Sequence, residues 1–125
     1  MDYWEQFKKL DRVKGEKIVD FSKKQLKISN LEGVPLNNYI LTFEDTESID
    51  PTKRIKIFIC ASNLGFVLNE PGKNSQDKEF SDLKGKRLLM YYNWHFDTTF
   101  RPIQVLDLIF EENLWISVGY FQSLK

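Results

Sequence analysis

A chain of 125 residues is the length of one domain, and with 42% hydrophobic and 14% aromatic residues it has the apolar content of a core, which excludes a disordered segment. Its 18 Lys and Arg against 18 Asp and Glu leave no net charge, so the basic bias of a dedicated nucleic-acid binder is missing. The single cysteine, Cys60, excludes an intrachain disulfide scaffold, and no apolar run reaches the roughly 18 residues of a membrane helix.

The first residues read as an amphipathic helix over 2–14. Asp2 and Glu5 have the spacing of a capping box, and Tyr3, Phe7 and Leu10 recur on one face, widened by Trp4. Lys8, Lys9, Arg12 and Lys14 fall toward the last turns, where cations suit the helix dipole, and Gly15 is a stop signal.

From Glu16 the apolar period changes to two, and residues 16–122 are expected to form antiparallel sheet. Val19 and Phe21, then Leu26 and Ile28, predict a short hairpin around Ser22–Gln25. Tyr39, Leu41 and Phe43 predict the next strand, followed by an acidic loop with Glu44, Asp45, Glu47 and Asp50. Ile55, Ile57 and Ile59 alternate with Lys56, Phe58 and Cys60. A turn at Ser62-Asn63 pairs them in register with Leu64, Phe66 and Leu68, which predicts a second hairpin.

Residues 69–86 are a polar excursion that carries a short helix with Phe80 and Leu83, ending at Gly85. In 87–97, Leu88, Met90, Tyr92, Trp94 and Phe96 form the expected core face, opposite Arg87, Tyr91, Asn93, His95 and Asp97. The last hairpin turns at Glu111-Glu112-Asn113, with Asn113 in the left-handed region. Leu106, Leu108 and Phe110 then face Val118, Ile116 and Leu114. The opposite, mixed face holds Asp107, Trp115 and Ser117, and the N-terminal helix is the expected cover for it. The fold expected is a single, mainly β (α+β) domain. Its form is a strongly curled antiparallel sheet or partly closed small barrel of about eight strands, with one helix packed on it.

Chemistry is sparse. The one histidine, His95, shares a strand face with Tyr91, Asn93 and Asp97, and Arg101 follows as an anion contact. Side chains two residues apart on a strand are separated by roughly 6.5–7 Å, enough to line one site but too far for a direct His–Asp bond. A wet strand face is therefore favoured over catalysis. The acidic run lacks the glycine and the terminal glutamate of a calcium loop, and Cys60 has no cysteine neighbours, so no metal or other cofactor is expected. The glycines fall in no phosphate-loop or nucleophile-elbow pattern, so no enzyme is expected.

Residues 8–27 hold eight basic and three acidic side chains, whereas 31–50 hold five acids and no base. Lys8, Lys9, Arg12, Lys84, Lys86 and Arg87 form a candidate basic patch. Opposed patches of this kind steer protein partners. By elimination, the expected function is a non-catalytic, intracellular, cytoplasmic binding protein of the inhibitor, immunity or adaptor kind. Its candidate contacts are Tyr91, Asn93, His95, Asp97, Arg101 and Trp115. The alternatives are a single-stranded nucleic-acid-binding β-domain and a small barrel holding an apolar molecule.

Overall fold

The two-residue rhythm after Gly15 builds eight strands in two antiparallel sheets, described over residues 3–29, 33–97 and 102–119 of a computed structural model. Helix α1 (Tyr3–Arg12) comes first, with Lys9 and Arg12 in its last turn. Gly15 follows at a φ of 84°, a conformation glycine adopts without strain. The first sheet has the order β1 (Ile18–Ser29), β2 (Pro35–Glu44), β3 (Arg54–Ala61). The second has the order β5 (Gln76–Lys78), β4 (Asn63–Leu68), β8 (Leu114–Gly119), β7 (Pro102–Phe110), β6 (Leu88–Asp97). Helix α2 (Phe80–Leu83) precedes β6. The capping residue Asp2, the loop residue Arg101 and the expected strand end at 120–122 lie outside the described residues.

The core lies between the sheets. Tyr39, Leu41, Phe43, Ile57, Ile59 and Ala61 come from the first sheet, and Leu88, Leu106, Leu108, Phe110, Ile116 and Val118 from the second. The rings of Phe43 and Phe110 stack across the interface at 6.2 Å. Phe21 of β1 packs edge-on against Phe66 of β4 at 5.0 Å and beside Phe80 of α2 at 5.8 Å. Each large apolar side chain so buried contributes about 1.5–3 kcal/mol relative to exposure.

At one corner the sheets share backbone bonds. Gly15 N donates to Leu88 O, Leu88 N to Glu16 O, Ile18 N to Lys86 O and Gly85 N to Ile18 O, at 2.7–3.0 Å. Glu16 is buried there, and its carboxylate accepts from Thr46 N at 2.8 Å and Thr46 Oγ1 at 2.7 Å.

The barrel expectation gives way to two open sheets. A barrel needs backbone pairing all the way round, and here the sheet orders end at β3 and β5. The space between the sheets is filled by the side chains named above. The predicted hairpin at Ser22–Gln25 is also corrected. β1 runs straight through those residues, paired Ser22 to Ile40 and Lys24 to Asn38. The outer half of β1 is mostly exposed, with Leu26 half-buried and Ile28 exposed, so its apolar spacing carried little register information.

The predicted hairpin at Ser62-Asn63 is instead a crossing between sheets. β4 pairs with β8, Leu64 to Val118 and Phe66 to Ile116, while β3 pairs with β2. Leu64, Phe66 and Leu68 pack against the core in the crossed arrangement just as the local hairpin would have had them, so alternation alone did not separate the two. Asn37 Nδ2 donates to Ser62 O at 3.3 Å, and Gly119 N donates to Asn63 Oδ1 at 3.1 Å, holding the crossing.

The last hairpin is as expected. Leu106 opposes Val118, Leu108 opposes Ile116, and both Glu112 and Asn113 take positive φ in the turn. α1 does not take the place expected for it over this hairpin's mixed face. It packs along β3, with Leu10 and Val13 buried in the core and Lys9 Nζ 5.9 Å from the Phe58 ring.

Candidate functional site

One bulge decides which side chains of β6 meet solvent. Leu88 pairs with Phe110 and Met90 with Ile109, which leaves Leu89 as an extra residue between them. The extra residue inverts every later position. Leu88 is fully buried, but Tyr91 and Asn93 now oppose the core residues Leu108 and Leu106. Met90, Tyr92 and Trp94, expected in the core, point outward at 40%, 40% and 45% exposure.

The register arranges the outer face of the five-stranded sheet in rows. Met90, Ile109, Trp115, Val67 and Asp77 form one row across the strands. Tyr92, Asp107, Ser117 and Gly65 form the second, and Trp94, Val105, Gly119 and Asn63 the third. Strands lie about 4.8 Å apart, so each row spans well over 10 Å. Tyr92 and Trp94 stand 5.6 Å apart, tilted by 39°. Asp107 ties the rows together: its Oδ2 accepts from Trp94 Nε1 at 3.0 Å and its Oδ1 from Ser117 Oγ at 2.7 Å. The result is an exposed aromatic and aliphatic face with one fixed carboxylate at its centre.

The candidate contacts read from sequence do not assemble into one site. Trp115 lies on this outer face with Asp107 and Ser117, as its place in the hairpin implied. Tyr91 and Asn93 turn to the other side of the sheet. The Tyr91 hydroxyl donates to Asp11 Oδ1 at 3.0 Å, and Lys14 Nζ sits 5.2 Å from its ring. Burial and the neighbouring Asp11 push the Tyr91 phenol up to about 12. His95 and Asp97 are placed in β6 opposite Gln104 and Pro102, and their side chains, like all of Arg101, lie outside the described residues.

The residues that sequence reading missed are Tyr92 and Trp94. The signal that marks them is Leu88-Leu89, two consecutive apolar residues that break the alternation at the start of the strand.

The candidate basic patch is largely spent on internal partners. Arg12 pairs with Asp45, with Glu47 at 3.4 Å and with Glu16 at 3.5 Å. Lys86 pairs with Glu112 at 2.8 Å, Arg87 donates to Gly15 O at 3.1 Å, and Lys9 lies by Phe58. Lys8 and Lys84 are exposed. The acidic loop is used in the same way: Asp45 and Glu47 hold Arg12, while Asp50 accepts from Thr52 N and Oγ1. Those bonds hold the Asp50 carboxyl below the usual range. Burial pushes the Cys60 thiol up, so it is protonated and a poor nucleophile at neutral pH.

Among the described residues no group of three His, Cys, Asp or Glu side chains is placed to hold a metal ion. No helix among them is long and apolar enough to cross a membrane. No protein-family model, curated protein or solved structure matches this chain.

Proposed function

We propose that this chain is a non-catalytic, intracellular protein-recognition domain, of the inhibitor, immunity or adaptor kind, that docks its partner on the outer face of the five-stranded sheet. The observation that carries this reading is the line of Met90, Tyr92 and Trp94, solvent-exposed on one strand, with Trp115 two strands away. Tyr and Trp are the side chains that concentrate binding energy at interfaces, and contiguous exposed apolar surface marks interaction sites. A sheet also presents such a surface rigidly, so little ordering entropy is lost on docking.

Affinity capture from the native host tests it. The wild-type chain and a Lys24→Ala control retain one stoichiometric protein partner, while Tyr92→Ala and Trp115→Ala lose it with their melting temperatures nearly unchanged. Retention of the partner by both face variants overturns the reading. Single-stranded nucleic acid is the second reading, on the exposed lysines Lys23, Lys24 and Lys27 of β1. A salt-sensitive shift of a labelled oligonucleotide, lost when those lysines are changed, would support it over the first.

A further inference from the structure

The charge on the outer face of the second sheet selects what covers it. Asp107 sits in the middle row, with Tyr92 opposite on one side and Ser117 on the other. Both groups that donate to its carboxylate, the Trp94 indole and the Ser117 hydroxyl, are neutral. They fix its orientation, and among the described residues no cation pairs with it. Among the described residues no Lys or Arg occupies an outward position of the five strands. Asp77, at the margin, is the other charged side chain there.

A carboxylate covered by a partner loses its hydration, and a cation brought by the partner offsets that loss most fully. A second copy docked on the same face through a two-fold axis brings two such carboxylates together with no cation between them. A polyanion is repelled outright.

The neighbouring groups suit one cation in particular. A planar guanidinium stacks on aromatic rings and forks two N–H groups onto a carboxylate, and Tyr92 and Trp94 flank Asp107 with ring surface open to solvent. Next to them the sheet carries no side chain at Gly65, while the Asn63 side chain lies over Gly119. A Cβ built on Gly65 meets nothing within 4 Å, which leaves room for a backbone to lie across the strands.

We propose that the outer face of the five-stranded sheet docks a protein segment that sets an arginine guanidinium on Asp107 beside Tyr92 and Trp94, with the flanking chain over the open floor at Gly65. This deepens the docking reading above and rests on it.

An NMR titration of the whole isotope-labelled chain tests the proposal, with N-acetyl-arginine amide as probe and N-acetyl-citrulline amide as its neutral counterpart. The expected result is movement of the Trp94 indole signal and of the Tyr92, Asp107 and Ser117 amides, with arginine binding at least about fivefold tighter than citrulline. Asp107→Asn brings arginine down to the citrulline level. Tyr92→Leu, which leaves the carboxylate in place, weakens arginine more than citrulline. Equal affinities for the two probes, or signals that move elsewhere on the molecule, overturn the proposal. So does sedimentation showing a dimer that Tyr92→Ala dissolves, because the face then belongs to a second copy. If Tyr92→Ala and Trp115→Ala abolish partner capture while arginine and citrulline bind alike, the docking reading stands and the arginine assignment falls.

Discussion

The inner face of the five-stranded sheet carries Leu88, Leu106, Leu108, Phe110, Leu114, Ile116 and Val118, none more than 5% exposed; the outer face of the same strands carries Met90, Tyr92, Trp94, Val105, Ile109 and Trp115. Both faces are apolar, yet only the inner one is closed by a second sheet. These seven residues are aliphatic apart from Phe110, with Phe66, Tyr91 and Asn93 on the same side at their margins. The outer face is rich in rings with polar tips and is pinned by a hydrogen-bonded carboxylate. Burial without water suits the first chemistry; partial burial, with water on one side until a partner arrives, suits the second.

Substitutions on the two faces break or sharpen that contrast. The largest effect belongs to Phe110→Ala, which opens a cavity beside Phe43 and costs about 3–5 kcal/mol in denaturant unfolding. Ile116→Val, on the same face, removes one methylene and costs about 0.5–1.5 kcal/mol. Tyr92→Ser on the outer face stays within about 0.5 kcal/mol of wild type, because that side chain remains hydrated in the folded chain. A loss comparable to Phe110→Ala would show that the outer face is core after all.

The smallest effect is confined to alkaline solution. With the Tyr91 phenol pushed up to about 12 by burial and by Asp11, and an unfolded tyrosine titrating near 10, the unfolded chain loses the proton first. Stability is therefore unaffected below about pH 10 and falls as pH rises from there toward 12. Tyr91→Phe flattens that part of the melting-temperature profile.

The last hairpin was legible in the sequence because everything that fixes it is local. Asn113 tolerates positive φ, and only one register puts Leu106, Leu108 and Phe110 against Val118, Ile116 and Leu114. That register also placed Trp115 beside Asp107 and Ser117. β6 was misread because a single inserted residue, Leu89, reverses a period-two pattern, and Met90, Tyr92 and Trp94 are as apolar as any core strand. The β4–β8 pairing was illegible for another reason: its partners are some fifty residues apart, and Leu64, Phe66 and Leu68 face inward with either neighbour. The three-residue strand β5 is polar and offered no pattern at all. Half of the candidate site thus followed from turn chemistry, and the other half from a backbone irregularity that only the cross-strand partners reveal.

The crossing at Ser62 means that the N-terminal half holds the first sheet whole but lends one strand, β4, to the second. A chain nicked in the polar stretch between Leu68 and Gln76 yields an N-terminal piece that carries β4 without β8 or β5, and a C-terminal piece whose Leu88 and Lys86 have lost Glu16 and Ile18. Each fragment is the missing template of the other. Mixed, the two are expected to rebuild the five-stranded sheet, because β4 regains β8 and β5 only from the other piece.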